Sequence, residues 1–181
     1  MDTQTSTTLT YADYALLPDD GRRHEIIEGE HYVNPAPNLR HQTISFNLVL
    51  LIGTYVRERG LGRVYFAPCD VVLSDTDVLQ PDLFFVSAAR EALLTAANVQ
   101  GAPDLVIEIL SPSTRVLDES VKLARYERFG VDEYWIVDPD ARAITVYRRQ
   151  QHALRRIAPS DPLASPLLPG LTVALSDVFA E

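Results

Sequence analysis

The chain has 181 residues, 46% apolar and 23% charged, a globular balance that excludes a disordered or collagen-like polymer. Its single cysteine, Cys69, rules out an intrachain disulfide and any cysteine-cluster zinc or iron–sulfur site. The formal net charge of −9 argues against a broad electrostatic grip on nucleic acid but leaves room for a local basic groove.

Met1 to Thr10 is polar and has no basic-then-apolar signal pattern, which points to a soluble, cytoplasmic protein. Thr10 to Leu17 is predicted as a short helix closed by the Pro18–Gly21 turn. His24 to Asn34 reads as a hairpin turning at Glu28-Gly29. Asn38 is placed to cap a helix carrying Ile44, Leu48, Leu51, Ile52, Tyr55 and Val56 at helical spacing, with Gly60 as its stop. The longest apolar run, Leu48 to Ile52, falls far short of the ~18–20 residues that span a membrane. Strands are expected over Val64–Leu73, Asp82–Val86 and Leu105–Leu110, with a short helix around Ala88–Ala97. A second helix is expected from Arg115 to Phe129 behind the Ser111–Thr114 turn and ending at Gly130. Tyr134–Val137 and Ala143–Tyr147 form strands around an Asp138-Pro139-Asp140 turn. The proline-rich tail from Leu163 to Phe179 is apolar enough to pack back on the body. No repeat, low-complexity segment or linker appears. The length fits one domain over residues 1–181 on a scale of ~100–200 residues per domain. Leu105-Val106-Ile107 and Leu83-Phe84-Phe85 have the character of central strands covered on both faces. The expected fold is α/β (α+β), a central mixed sheet flanked by helices on both faces.

Glu108 is the strongest anomaly, a carboxylate inside the apolar run Leu105–Leu110. Buried alone, it is costly unless paired, metal-bound or protonated. Asp82 repeats the pattern ahead of Leu83-Phe84-Phe85-Val86. Asp104 and Glu108 share a strand but lie roughly 13 Å apart at ~3.3 Å per residue, too far for one ion. If the Asp82 strand neighbours the Glu108 strand at ~4.8 Å, those two acids can face one cation. Asp104 is then a turn residue leading into its strand, and the alternative for Glu108 is a structural arginine partner. Lys122, on the following helix, can fold back to the acids and offset charge on a phosphorane-like transition state. It can equally form an exposed helix pair with Asp118 worth ~0.3–0.5 kcal/mol. The cluster of Arg148, Arg149, Arg155 and Arg156 reads as a solvated strand edge, with phosphate contact as the alternative. Tyr134 and Trp135 read as core or interface, Cys69 as a small buried side chain, and Ser111 as a cap.

Gln80-Pro81-Asp82-Leu83, the run Ala102 to Thr114, Lys122 and Tyr134 to Pro139 together resemble the Uma-two family of the PD-(D/E)XK nuclease superfamily. His24 to Glu30, then Pro35, Pro37, His41 and the later Pro169-Gly170-Leu171, extend the resemblance over nearly the whole chain. It implies a restriction-endonuclease-like core and a divalent-metal-dependent phosphodiesterase acting on nucleic acid, DNA in the first instance. Asp82 matches the "PD" acid and Glu108 the "(D/E)XK" acid. Two residues on stands Leu110 rather than lysine, and Lys122 matches a lysine moved to the next helix. Asp82, Glu108 and the Ile109 carbonyl would hold Mg²⁺ or Mn²⁺, with Lys122 steadying the water or the scissile phosphate. Glu25 faces the metal or pairs with a surface arginine; His41 is catalytic or a satisfied core residue; Gln80 contacts a ligand water or nothing. A homodimer suits cleavage of both strands. The competing readings are a nuclease-fold module that binds without hydrolysis, and hydrolysis of a small phosphorylated metabolite. The second lacks any glycine-rich phosphate cradle.

Overall fold

The structure is a computed structural model that describes residues 8–18 and 20–181. The reading of residues 1–7 and of Asp19 within the Pro18–Gly21 turn lies outside the described residues. In chain order the elements begin with α1 (Tyr11–Tyr14), β1 (Arg23–Ile27) and β2 (Glu30–Asn34). A long helix follows, made of α2 (Leu39–Leu48), a π-helical turn (Val49–Gly53) and α3 (Thr54–Arg59). Then come β3 (Gly62–Phe66), β4 (Val71–Ser74), β5 (Asp77–Leu79), β6 (Leu83–Ser87), a 3-10 segment (Ala88–Leu93), β7 (Val99–Gln100) and β8 (Leu105–Ile109). The last part holds a π-helical turn (Leu117–Lys122) continued by α4 (Leu123–Phe129), then β9 (Glu133–Asp138), β10 (Ala143–Gln150), β11 (Ala153–Arg156), β12 (Leu163–Ala164), β13 (Thr172–Val173) and α5 (Leu175–Val178).

Local chemistry accounts for the boundaries. Thr10 and Asp13 close a capping box on α1, which is shorter than the expected Thr10–Leu17 helix. Glu28 and Gly29 both take positive φ, as a tight hairpin turn requires, and join β1 to β2. Asn38 caps α2 by accepting from the His41 amide at 2.9 Å. Gly60 and Gly130 end their helices in the left-handed conformation. The expected Val64–Leu73 strand is two strands: β3 and β4 lie in different sheets, with Pro68, which has no N–H to give a ladder, between them. The expected Ala88–Ala97 helix is the shorter 3-10 segment, and Cys69 is half-buried rather than buried.

Six strands form the main sheet in the order β11-β10-β9-β8-β6-β3. It is mixed: β8 and β9 run parallel, β6 and β8 antiparallel. The crossover between the parallel pair is the helix that carries Lys122, as such a connection demands. Strand alternation divides the side chains. Leu83, Phe85, Leu105, Ile107, Ile109, Trp135 and Val137 face the α2–α3 helix and the returning tail, where Leu168, Val173 and Phe179 are buried. Phe84, Val86, Val106, Leu110, Tyr134 and Ile136 face the other way, onto α4 and a second sheet of order β2-β1-β5-β4-β7. Helices thus cover both faces, as expected, and on this side a sheet shares the cover. Full burial of aromatic side chains such as Trp135 and Phe84 contributes roughly 1.5–3 kcal/mol each to holding the layers together.

Candidate active site

Period-two alternation decides where the acids go. On β8, Glu108 points with Val106 to the α4 side. Extending the β6–β8 register one pair past Leu83↔Ile107 sets Asp82 opposite Glu108. On β1 of the second sheet, Arg23 and Glu25 lie on the same face as Ile27, which packs against the main sheet. The two sheets therefore present Asp82 and Glu108 toward Arg23 and Glu25. The stripe Asp118, Lys122 and Tyr126, at i, i+4 and i+8 of the crossover helix, closes the side.

Lys122 is the hub. Its ammonium lies 3.0 Å from Glu25 Oε1, 3.0 Å from Glu108 Oε1 and 3.5 Å from Asp118 Oδ1. All four side chains are buried. Tyr126 donates its hydroxyl to Glu108 Oε1 at 2.8 Å. Glu25 is further held by the Gln80 amide at 2.7 Å and by the Asn34 amide group at 2.6 Å. Asp82 accepts from Arg23 at 2.8 Å on Oδ1 and from the Ile109 amide at 2.8 Å on Oδ2, with His41 Nε2 at 3.2 Å from Oδ2. The Asp82 amide in turn points at Glu108 Oε2, 3.4 Å away. Most of these groups line a cavity of about 440 Å³, with Ser111 to Arg115 and Arg40 on its walls.

The charges are unequal. Four buried carboxyl groups face two permanent cations, Arg23 and Lys122. Burial pushes the Glu108 carboxyl up to about 8; Lys122 opposes this, but Asp118, Asp82 and Glu25 add to it. Burial also lifts Asp118 to about 6 against the pull of Lys122. Burial would raise Asp82 as well, but the His41 hydrogen bond and the Arg23 charge outweigh it and hold that carboxyl well below the usual range. Desolvation works against the Lys122 ammonium, yet the surrounding acids keep it protonated far above its ordinary value.

As they stand, no group of three or more His, Cys, Asp or Glu side chains among the described residues is disposed to hold a metal ion. The donor set nevertheless fits a divalent cation. Its oxygens are the hard ligands Mg²⁺ and Mn²⁺ take, and four carboxyl groups outnumber the two permanent cations beside the cavity. The structure thus brings Asp82, Glu108, Lys122, Glu25 and His41 together, with Ile109 bound to Asp82 through its amide. Glu25 pairs with Lys122 rather than with a surface arginine, and the Asp118–Lys122 pair is buried rather than exposed. Gln80 is buried, and its side chain binds Asp70 and Tyr14. Asp104 is structural, accepting from Ser87 at 2.7 Å. Arg148 and Arg149 serve Glu133 and the α4 carbonyl ends, while Arg155 and Arg156 are exposed on the edge strand. The sequence reading passed over Arg23, Asp118 and Tyr126 as site residues. The signals were periodic: Arg23 is two residues from Glu25 on a strand, and Asp118 and Tyr126 are four from Lys122 on a helix.

No helix among the described residues is long and apolar enough to cross a membrane. No curated protein matches the chain. Among solved structures, the fold is similar to that of a protein from Anabaena variabilis ATCC 29413 described as a putative nuclease belonging to DUF820. The TM-score is 0.80 and the identity 24%, over 94% of this chain and 97% of that one. Residues 11–176 match the family model Uma2, described as "putative restriction endonuclease", and the chain belongs to that family.

Proposed function

We propose that the chain works as one nuclease-like unit, a divalent-metal-dependent phosphodiesterase acting on nucleic acid, DNA in the first instance. The observation that carries this reading is the buried cluster of Asp82, Glu108, Glu25 and Asp118 around Lys122 at the floor of an open cavity. Asp82, Glu108 and the Ile109 carbonyl would hold Mg²⁺ or Mn²⁺. Such an ion, when bound, polarises a phosphate oxygen and makes a water more acidic.

The chain's own residues do the rest. Lys122 stays protonated, so it supplies a fixed cation rather than a base. Of its three contacts the one to Asp118 is the longest, and a water or a phosphate oxygen would replace that one. Glu25 holds the ammonium in place from the second sheet. His41, whose backbone amide bonds the Asn38 cap, orients Asp82 through Oδ2. The acidic net charge favours one alternative, a module that keeps the fold and binds without cutting.

The test is cleavage of plasmid and single-stranded DNA with Mn²⁺ by the native chain and by Asp82→Asn and Glu108→Gln variants. Cleavage lost in both folded variants supports the hydrolase. Cleavage retained in either removes that residue from the mechanism. Mn²⁺ binding without cleavage of any nucleic acid favours the module. A homodimer, which suits cleavage of both strands, is part of this proposal, and sedimentation of the native chain tests it.

A further inference from the structure

We infer that Arg23 and a divalent cation are alternative partners of Asp82, so that the guanidinium must leave Oδ1 before that carboxylate can serve as a ligand. The inference rests on the metal-dependent reading above. Arg23 Nη1 donates to Asp82 Oδ1 at 2.8 Å, and Nη2 donates to the Gln80 carbonyl. Asp82 Oδ2 is already engaged by the Ile109 amide and His41. A divalent ion needs its oxygen ligands at about 2.0–2.1 Å in the case of magnesium, and it repels a guanidinium on the same oxygen. The two cations therefore compete for one place.

Two independent features suit Arg23 to leaving. Its Nε is buried and has no hydrogen-bond partner, so the closed pose satisfies the guanidinium only in part. Beside it lies a second, smaller cavity of about 130 Å³ lined by Arg23, His41 and Asp82 together with Gln42, Ser45 and Pro68. A guanidinium withdrawn from Asp82 finds the polar side chains of Gln42 and Ser45 there. While the cation is away, Arg23 spares Asp82 the cost of an unpaired buried charge. When the cation arrives, the closed pair lowers its apparent affinity by the fraction of chains still closed. A pair closed about nine-tenths of the time weakens binding about tenfold.

The test compares Mn²⁺ binding by calorimetry in the native chain, Arg23→Gln and Arg23→Lys. Arg23→Gln should bind about tenfold more tightly than the native chain, with Arg23→Lys between them, since lysine keeps the charge but not the fork. Equal or weaker binding by Arg23→Gln overturns the inference alone, provided the native chain binds Mn²⁺ and Glu108→Gln binds it more weakly. No binding by the native chain overturns both the inference and the metal-dependent reading. If Arg23→Gln does not fold, nitrogen-15 NMR of the arginine side chains in the native chain decides. Added Mg²⁺ should release the slow rotation of the Arg23 guanidinium, and slow rotation persisting at saturating Mg²⁺ overturns the inference.

Discussion

Asp82 and Glu108 face each other across antiparallel neighbours, yet they are stabilised in opposite ways. Asp82 accepts from Arg23, His41 and the Ile109 amide and keeps its charge. Glu108 shares Lys122 with two other acids and is pushed toward its neutral form. Neutralising Glu108 therefore removes a charge the fold tolerates poorly, whereas neutralising Asp82 strands Arg23. Glu108→Gln keeps an acceptor for Lys122 and Tyr126 and should change stability by no more than about 1 kcal/mol. Asp82→Asn weakens the charge-assisted contacts to Arg23, His41 and the Ile109 amide together and should cost about 1.5–3 kcal/mol. Urea denaturation of the two variants measures the difference. Equal losses would mean that the two acids are held alike.

Lys122→Met leaves Glu25, Glu108 and Asp118 buried without their common cation. The expected loss is about 3–5 kcal/mol near neutral pH and smaller in mild acid, where protons can replace the ammonium. Denaturation midpoints at the two pH values read this directly. A loss independent of pH would assign the lysine a packing role through its buried stem instead.

The proton balance of the native chain makes a separate prediction. Glu108 titrates at about 8 in the fold against 4.5 for an ordinary glutamate, and Asp118 at about 6 against 3.8. Between those values the folded chain holds more protons than the unfolded chain. Stability from these groups is thus highest in acid and falls as pH rises through the window. Asp82 works the other way, its pKa being lowered: its contribution is full above the ordinary carboxylate range and lost in stronger acid. Stability should therefore peak in mild acid and decline toward about pH 8, and Mn²⁺ should protect most at the upper end because it displaces the protons. Thermal unfolding with and without Mn²⁺ across that range checks it. A gain from Mn²⁺ that does not grow with pH contradicts it.

The sequence made part of this legible for a clear reason. Glu108 interrupts an apolar strand, and Asp82 opens one, so both announce a buried acid that needs a partner. Neighbouring strands then bring them together, as their register requires. Lys122 was ambiguous because Asp118 stands one turn before it, and i, i+4 charge pairs are common on solvated helix faces. Only tertiary packing shows that this face is buried. Beyond its β1–β2 hairpin the second sheet was illegible because β5 and β7 have three and two residues, too short for alternation to register, and because β3 and β4 run together as one apolar stretch. Arg23 shares a strand face with Glu25, but its partner Asp82 lies 59 residues away, and only the contact between the sheets shows it.

The most direct test of a cation site built on Asp82 and Glu108 is calorimetric titration with Mn²⁺ of the native chain and of Glu108→Gln, the variant expected to stay folded. The native chain should show a single site, weakened about tenfold or more in the variant, as the loss of one of few charged ligands dictates. A native chain that takes up no Mn²⁺, or a variant that binds it equally well, would contradict the assignment.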